Sequence, residues 1–443
     1  MMTMTRGYAD VLVGLQYGDE GKAKIIDHLA HAYDIIARFN GGANAGHTVR
    51  TPLGSAKLAQ VPSGAFHPDK LLYIGSGCAV NLEKLAGEID ALERAGLTLD
   101  GRLVISGRCI VVQPVHVRMD VLHGSHIGTT GNGIGPCYAD LALRMRSECR
   151  TVVQLRDLHE NLDLAFGQMA AYDRLSAPCS KAHEAEIAAT FHRLRAAWTR
   201  ILPFVTMDDL FLTRLVRAGK RVLFEGAQSL QLDVSLGDQP YVTSSHTSAS
   251  FAYVGGDLSC HFHRKTIGVA KAIVSRVGAG PFPSEFGGMA SASYCARAAK
   301  EGTGGEAERA RFDPHALLAS GDPFELGIAL RMLTDEYGTG SGRPRRIGAL
   351  DVSQLADAVC RHAVDEIYLN KCDSLALFPN NASGAIPVFD ETSLRWFPSF
   401  AGPLNASLPP SLRGLIAHIE RRTGSRIAGI GTGPARDDII CFQ

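Results

Sequence analysis

The chain has 443 residues, and its 45 Lys and Arg residues balance 45 Asp and Glu residues, so the formal charge is zero. Hydrophobic residues make up 45% of the chain and charged residues 20%, which excludes a disordered, collagen-like or coiled-coil protein. The balanced charge also argues against a non-specific nucleic-acid-binding protein, because such proteins usually carry a basic surplus. The 47 glycines, roughly 11% of the chain against a usual ~7%, indicate many tight loops.

The ten cysteines show no C-x-x-C spacing, so neither a zinc knuckle nor a thioredoxin-type redox site is predicted. The polar start of the chain predicts no signal peptide, and no apolar run reaches the ~18 residues of a membrane span. We therefore expect reduced thiols, a cytoplasmic location, and neither a membrane nor a nucleic acid as a partner.

Short apolar runs alternate with stretches of helical spacing, beginning with a strand at Asp10–Leu15, a glycine turn and a helix at Lys22–Ala32. Further elements are predicted in chain order: strands at Tyr33–Phe39 and Leu71–Gly75, a helix at Leu82–Ala95, and strands at Leu103–Ser106, Arg221–Phe224 and Glu366–Leu369. This alternation predicts an α/β fold, with a large, mostly parallel central sheet and helices on both faces, as in P-loop NTPases.

Two segments depart from the alternating pattern. Residues 151–200 are rich in Ala, Leu, Arg and Glu, which predicts a helical subdomain laid over the sheet. Residues 287–335 begin with a polar, Gly- and Ala-rich stretch and are predicted to form a surface insertion. Because large α/β enzymes often reach this length as one unit, we expect residues 1–443 to form a single domain.

The strongest local motif runs from Gly18 to Lys24, between a predicted strand and a predicted helix. A helix N-terminus offers free backbone N–H groups to phosphate, and Lys22 can reach an outer phosphate. The spacing is not that of a Walker A loop, and Ala23 lacks the hydroxyl that usually binds magnesium. Asp19 suits a metal ion or a base acting beside the phosphate. The alternative is a glycine turn with solvated charges.

Two further glycine-rich loops carry polar side chains. Asn40–Thr48 follows the second predicted strand, and its His47 is a candidate proton or hydrogen-bond donor. Gly128–Pro136 places hydroxyls, among them Thr130, between glycines, which suits a monophosphate, and Arg144 follows shortly after. The alternative for each is a plain connecting loop; the position of Asn40–Thr48 at a strand end favours function there, whereas Gly128–Pro136 alone could equally be a plain connection.

Near the C-terminal end, Asn370–Asp373 has the sequence N-K-x-D and directly follows a predicted strand. The Asp373 carboxylate can accept hydrogen bonds from guanine N1–H and the 2-amino group together. Arg343, Arg345 and Arg346 are candidates for binding carboxylate or phosphate.

Taken in chain order, these motifs resemble those of the adenylosuccinate synthetase family, from Val11 to Asp437. The matching segments are Gln16–Lys22, Gly41–Thr48, Gly128–Pro136, Phe224–Gln228, Tyr241–Ser245, Arg276–Pro283 and Gly342–Asp351. Several separate motifs in the same order are far more specific than any one of them.

The resemblance implies that GTP phosphorylates the 6-oxygen of IMP, and that the amine of L-aspartate then displaces phosphate to give adenylosuccinate. It implies that Asp19 removes the purine N1 proton and that His47 donates to the oxygen between the phosphates. Lys22 would contact the γ-phosphate, and Gln228 would orient the purine. Mg²⁺ would be held by Asp19 and the Gly46 carbonyl.

The resemblance also implies the binding residues. For IMP they are Asn44, Thr130, Arg144, Gln228, Thr243, Val277 and Arg343, and for aspartate Ser341 and Arg343. For GTP they are Gly18, Glu20, Gly21, Lys22, Gly46, His47, Thr48, Arg345, Lys371, Asp373, Gly431 and Gly433. A homodimer is implied, in which Arg144 reaches the partner active site.

The chain departs from the family pattern at several places. Gly340 replaces a threonine in the aspartate loop, Gly431 replaces a serine that reads the guanine base, and the insertion at 287–335 is longer than usual. One alternative is therefore a paralogue that uses the same chemistry on another 6-oxopurine nucleotide or another amine. A second is a GTP-dependent binding protein, against which the retained catalytic residues argue. Asp19 favours IMP over the dGMP of a viral branch, and N-K-x-D favours GTP over ATP.

Overall fold

The computed structural model describes residues 6–44, 46–51, 54–124, 129–144, 146–147, 150–175, 180–338 and 342–442, with only the backbone described at 47–51, 54–56, 146–147 and 150. The helices in these ranges are α1 Lys22–Leu29, α2 Leu82–Arg94, α3 Pro114–His123, α4 Ile134–Leu143, α5 Leu155–Glu160, α6 Leu162–Leu175, α7 Lys181–Ile201, α8 Phe211–Arg217, α9 Phe251–Gly255, α10 Gly288–Glu301, α11 Gly305–Arg311, α12 Pro314–Ala319, α13 Pro323–Leu333, α14 Val352–His362 and α15 Pro410–Thr423. Short 3₁₀ helices lie at Ala30–Ala32, Ser63–Phe66, Leu202–Phe204, Leu230–Leu232, Cys260–Phe262 and Asp373–Asn380.

The strands of the same ranges are β1 Ala9–Gly14, β2 Ile35–Arg38, β3 His47–Thr51, β4 Gly54–Leu58, β5 Leu71–Ile74, β6 Ala79–Val80, β7 Leu103–Ser106, β8 Ile110–Val111, β9 Arg146–Ser147, β10 Arg150–Thr151, β11 Val205–Thr206, β12 Val222–Ser229, β13 His263–Lys271, β14 Ile273–Arg276, β15 Arg346–Asp351, β16 Glu366–Asn370, β17 Ala385–Asp390, β18 Ser393–Pro398, β19 Arg426–Gly431 and β20 Ile439–Cys441. All the predicted strands are present with ends close to those expected, and β12 continues past Phe224 as far as Ser229.

Ten strands form the central sheet, in the order β11-β7-β5-β2-β12-β1-β13-β16-β19-β20. Neighbours run parallel, except that β20 is antiparallel to β19 at one edge. The large, mostly parallel sheet predicted from the alternation of strands and helices is therefore confirmed.

Successive side chains of β1 enter different hydrophobic cores, because side chains alternate between the faces of a strand. Val11 belongs to a core with Leu355 of α14 and Leu412 of α15. Leu12 belongs to a second core, with Ile25 of α1. Helices therefore cover both faces of the sheet, which explains why β1 is buried along its whole length.

The carboxyl ends of β2, β12, β1, β13, β16 and β19 lie side by side, because these strands are parallel neighbours. Ligands of open α/β sheets bind at this edge. The loops that follow these strands carry most of the predicted motifs, so the fold brings together segments that are hundreds of residues apart in sequence.

A second sheet, not predicted from the sequence, has the strand order β14-β15-β17-β18. Its first strand directly follows β13 and is antiparallel to β15, with Arg276 opposite Arg346. Because of this pairing, Arg345 and the residues just before it lie near the carboxyl end of β13.

The two segments that departed from the alternating pattern are helical where they are described. Helices α5, α6 and α7 occupy most of the stretch after Thr151, and α10 to α13 occupy the stretch from Gly288 to Leu333. The division of the single domain into a subdomain and an insertion stays a prediction. No helix in the described ranges is long and apolar enough to span a membrane.

Candidate active site

The loop between β1 and α1 is shaped by left-handed backbone conformations. Gly18 has φ +90°, Asp19 has φ +57° and Gly21, which precedes α1, has φ +83°. A β-carbon at Gly21 would lie 2.8 Å from Nδ2 of Asn370, and that amide donates a hydrogen bond to the Glu20 carbonyl at 2.7 Å. The N-K-x-D segment at the end of β16 therefore contacts the predicted phosphate loop directly, through Asn370.

Glu20 is the buried centre of this loop. Its carboxylate accepts hydrogen bonds from the Gly18 N–H at 2.8 Å, from the Ser229 hydroxyl at 2.6 Å and from the Lys22 ammonium at 2.7 Å. Burial alone would raise the pKa of Glu20, but the Lys22 charge and these hydrogen bonds outweigh it, so the pKa lies below its ordinary value. The carboxylate is therefore charged and fully engaged.

Lys22 is itself buried and turned toward Glu20 rather than toward the helix N-terminus. Its Nζ also lies 3.4 Å from the Ser229 hydroxyl. The predicted contact of Lys22 with an outer phosphate thus requires the ammonium to leave the Glu20 carboxylate.

Asp19 projects from the loop with its side chain 37% exposed and pairs with Arg345, Oδ2 to Nη2 at 2.6 Å. The same guanidinium donates from Nη1 to Glu336 at 2.6 Å. Arg345 is buried, so it bridges the predicted catalytic carboxylate to a second carboxylate below the site.

Glu336 lies at the centre of a cation cluster. The Lys271 and Lys371 ammonium groups lie 3.3 Å from its carboxylate, and the Ser275 hydroxyl donates to it at 2.9 Å. Burial would raise the pKa of Glu336, but the charges of Lys271, Arg345 and Lys371 hold it well below the ordinary value. The cluster therefore contains a permanent carboxylate surrounded by three cations.

Glu336, Lys271 and Ser229 were missed by the sequence reasoning. Lys271 directly follows the apolar run Ile267–Ala270, and this was a usable signal, because a lysine at the end of a buried strand lies at the carboxyl edge of the sheet. Nothing local distinguishes Glu336 from other acidic residues, since its partners come from elements far away in sequence.

Gln228 adopts φ +57° at the end of β12, and its Oε1 is buried with no hydrogen-bond partner among the described residues. The Asn40 amide holds the neighbouring Ala227 by two hydrogen bonds, at 2.9 and 3.1 Å. Asn44 closes the same turn by accepting from the Gly42 N–H at 3.1 Å. The predicted loop after β2 and the β12 end thus form one surface with an open acceptor.

The predicted guanine site also contains an open acceptor. Oδ1 of Asp373 is buried and has no hydrogen-bond partner within the described ranges, and burial raises the pKa of this carboxyl. Lys371, at φ +62°, donates to the Thr334 carbonyl at 2.7 Å. The Gly433 carbonyl accepts from Lys24 at 2.7 Å, which ties the last glycine turn to α1.

Gly431 faces the same asparagine that locks the first loop. A β-carbon at Gly431 would lie 2.2 Å from Oδ1 of Asn370, so only glycine fits this arrangement of the Asn370 amide. The departure from the family serine at this position therefore has a local steric reason.

The predicted phosphate loop before α4 is described from Thr129 onward. Thr130 accepts a hydrogen bond from Asn132 at 3.0 Å, and Asn132 in turn accepts from Lys84. Thr243 donates its N–H to the Leu232 carbonyl at 2.7 Å, and Val277 is exposed. Arg144 caps α4 with φ +56° and is exposed to solvent.

The three arginines near β15 have different positions. Arg345 reaches Asp19, whereas Arg346 is buried and forms a two-point pair with Glu285, with the first contact from Nε at 2.9 Å. The candidate role of Arg346 in binding substrate stays a prediction, and it would require the guanidinium to leave Glu285. The carbonyl of Arg343 accepts from the Gly338 N–H at 2.8 Å.

Some predicted residues lie outside the described part of the chain. They are Ser341 and the side chains of His47 and Thr48; Gly340 and Gly128 lie outside it as well. Gly46 is described and exposed.

A model of the family described as adenylosuccinate synthetase matches residues 11–382. The chain is 54% identical to adenylosuccinate synthetase 2 of Cupriavidus pinatubonensis, over all of this chain and 99% of the relative. It is 34% identical to adenylosuccinate synthetase of Caldicellulosiruptor bescii, over 97% of this chain and 98% of the relative. The chain belongs to the adenylosuccinate synthetase family.

The enzyme accordingly ligates L-aspartate to IMP with GTP, as the resemblance of its motifs implied. Its fold is similar to that of fully ligated adenylosuccinate synthetase from Plasmodium falciparum, with a TM-score of 0.80 at 26% identity, over 99% of this chain and 100% of that one. A cyanophage S-2L succinoaminodeoxyadenylate synthetase shares the fold alone, with a TM-score of 0.63 at 18% identity, over 98% of this chain and 95% of that one. The paralogue alternative is not favoured by these similarities.

Proposed function

We propose that the carboxyl edge of the central sheet is the active site of this ligase, with Asp19 as the base and Lys22 and Arg345 as the phosphate-directed cations. The observation that carries the assignment is a pair of open acceptors, Gln228 Oε1 and Asp373 Oδ1. A buried acceptor without a partner costs about 1–3 kcal/mol, so each is suited to a ligand that donates to it. The N1–H and 2-amino donors of guanine fit Asp373, and the Gln228 amide is placed to orient the second purine.

At the guanine end, Asp373 accepts from N1–H and the 2-amino group of GTP. Lys371 lies beside it, Gly431 ends the neighbouring strand β19, and Gly433 lies in the turn that follows. Burial raises the pKa of Asp373, and donors from guanine favour the charged carboxylate.

At the purine end, Asp19 removes the N1 proton of IMP, so that negative charge builds on the 6-oxygen that attacks the γ-phosphate. Gln228 orients the ring, and His47 donates to the oxygen between the phosphates. Asp19 pairs with Arg345 before substrate binds, which fixes the position of its carboxylate. The amine of aspartate then displaces phosphate from the activated carbon.

Binding of IMP and aspartate uses residues from several loops. We assign the IMP phosphate and ribose to Asn44, Thr130, Thr243, Val277 and Arg343, and the aspartate carboxylates to Ser341 and Arg343. The remaining GTP contacts are Gly18, Glu20, Gly21, Gly46 and Thr48, of which Glu20 acts from below by fixing the loop.

The donor chemistry of the site fits Mg²⁺. No cluster of three or more His, Cys, Asp or Glu side chains occurs within the described ranges, and Mg²⁺ is usually bound by one or two carboxylates together with substrate phosphates. Asp19 and the Gly46 carbonyl would hold it. When bound, the ion neutralises charge that develops on the β- and γ-phosphate oxygens.

The test is phosphate release from GTP, with IMP and aspartate added singly and then together. We expect release only when both are present, and at least about 1,000-fold slower release from D19N, because general-base and metal contacts are lost together. Release from D19N at the wild-type rate would overturn the assignment of Asp19.

We also propose a homodimer in which Arg144 completes the partner active site. Arg144 ends α4, which exposes Leu141 and Leu143, and the neighbouring helix α3 exposes Val121 and Leu122. An exposed apolar patch next to a cation suits an interface that delivers charge to a phosphate. Eight free cysteines among the described residues are consistent with our proposal of a cytoplasmic location.

Mixing two inactive variants tests the dimer. D19N and R144L each lack one half of the site, so hybrid dimers regain one intact site if Arg144 acts across the interface. We expect activity on mixing, and a single dimer species in sedimentation. Persistent inactivity of a mixture that exchanges subunits would place Arg144 in its own active site.

A further inference from the structure

Residues 335–338 and 342–345 form two arms that pair with each other, and we call these two arms the hairpin. The residues that connect the arms, among them Ser341 of the predicted aspartate loop, lie outside the described part of the chain. Tyr337 pairs with Pro344, and the Arg345 N–H donates to the Glu336 carbonyl at 3.2 Å. The Gly338 N–H donates to the Arg343 carbonyl at 2.8 Å. The hairpin therefore places Arg343 and Arg345 together on one backbone unit.

Helix α11, Gly305–Arg311, lies within the predicted insertion at 287–335 and contacts this hairpin. Glu308 of α11 is buried and accepts from the Tyr337 hydroxyl at 2.6 Å. Arg309 pairs with Asp335 at 2.7 Å and covers the Tyr337 ring at 5.2 Å. One turn of α11 thus contacts the first arm of the hairpin through polar and aromatic contacts.

The second arm is held through a buried arginine. Glu308 forms a two-point pair with Arg331, at 2.7 and 2.9 Å, and both side chains are almost fully buried. The remaining Arg331 nitrogen, Nη1, donates to the Arg345 carbonyl at 2.8 Å. Because Arg345 binds Asp19, α11 is connected to the proposed base through one continuous set of contacts.

Two glycines allow α11 to approach the hairpin closely. A β-carbon at Gly304 would lie 3.1 Å from the Gly342 carbonyl oxygen, next to the aspartate loop. A β-carbon at Gly305 would lie 3.0 Å from the Tyr337 ring. At these two positions α11 therefore lies against the backbone of Gly342 and against the Tyr337 ring, more closely than a larger residue would allow.

We propose that α11, through Gly304, Gly305, Glu308 and Arg309, is a clamp that positions the hairpin and so sets the affinity of this enzyme for aspartate. Glu308 and Arg331 are positioning residues, since they act through Arg345 and the loop. The inference rests on the proposed role of Arg343 in binding aspartate. It gives the long insertion a part in the reaction, where a plain surface loop has none.

The first variant is E308Q, which keeps the side-chain volume but removes the charge that Arg331 pairs with. We expect the KM for aspartate to rise about tenfold, since small displacements of binding groups are costly, while the KM values for GTP and IMP change less than about twofold. Hydrogen exchange of the peptide covering 335–345 should become faster. A structural defect alone would instead lower the active fraction and leave every KM unchanged.

The second variant, G304A, presses a methyl group against Gly342 without removing any charge. Gly304 does not have a positive φ, so alanine is compatible with its backbone. We expect the KM for aspartate to rise about threefold. The matched control is G167A, where a β-carbon meets nothing within 4 Å and the φ is also ordinary, and it should leave all KM values unchanged.

Two results would overturn the clamp: no change of hydrogen exchange at 335–345 in E308Q, or an unchanged KM for aspartate in both folded variants. Failure of the proposed function gives a different result, in which wild-type phosphate release does not depend on aspartate although exchange at 335–345 still quickens in E308Q.

Discussion

Two buried carboxylates at the same edge of the sheet, Glu20 and Glu336, are satisfied in different ways. Glu20 meets one ammonium, that of Lys22, and otherwise neutral donors, most of them from its own loop. Glu336 meets three cations that come from the ends or flanks of three different strands. One carboxylate organises a loop, and the other joins separate parts of the fold.

The charges at the two places differ as well. Glu20 and Lys22 cancel each other. Around Glu336 there are three cations, and even with Asp19 included the two carboxylates leave one positive charge. The loop around Glu20 therefore has its shape before substrate binds. The cluster around Glu336 keeps a positive charge that attracts anionic substrates.

The largest expected effect is that of E336Q. Removing this charge leaves Lys271, Arg345 and Lys371 without their shared anion, and breaking a buried pair typically costs about 3–5 kcal/mol. We expect a loss of that order in the free energy of unfolding, measured by denaturant titration, and strongly reduced ligation.

The matched control is E391Q. Glu391 is 69% exposed and lies 3.6 Å from Arg422, so the same substitution should change the free energy of unfolding by less than about 0.5 kcal/mol. If E336Q lowered the free energy of unfolding as little as E391Q does, Glu336 would not join separate parts of the fold, and its contrast with Glu20 would be lost.

A smaller effect is expected for E20Q, because only one cation loses its partner and the neutral donors can still reach an amide oxygen. We expect the disturbed hydrogen bonds to lower the free energy of unfolding by about 2 kcal/mol, and we expect a higher KM for GTP. Denaturant titration and initial rates measure the two quantities. An effect on unfolding larger than that of E336Q would reverse the comparison.

The smallest effect concerns Lys24, a cation that donates hydrogen bonds to two backbone carbonyl oxygens. Its Nζ donates to Gly433 and Asp438 carbonyls at 2.7 and 2.8 Å, and burial lowers its pKa from 10.5 to about 8. Above that pH the folded protein loses the charge, so we expect the KM for GTP to rise about threefold between pH 7 and pH 9.

Deprotonation of Lys24 weakens GTP binding but stabilises the fold. The folded state releases the Lys24 proton before the unfolded chain does, so this group raises the free energy of unfolding as the pH rises from about 8 to 10.5. K24R keeps its charge throughout and should show a flat KM for GTP. A flat profile in the wild type as well would exclude Lys24 as the titrating group.

Much of the fold and part of the site follow from local sequence. The turn from Gly18 to Gly21, between a strand and an amphipathic helix, and the N-K-x-D segment at the end of β16 were both predicted. They were predictable because glycine, apolar runs and helical spacing act over short distances along the chain. The second sheet was not predicted, because its strands pair with segments that only the chain path brings near.

Local chemistry therefore established the parallel sheet, the order of the loops at its carboxyl edge and the family to which they belong. It did not establish which partner each charged group selects. The Lys22 ammonium turns to Glu20, Arg346 to Glu285, and Lys271 to Glu336. Such pairings depend on burial and on distances between groups far apart in sequence, and these exist only once the strands are side by side.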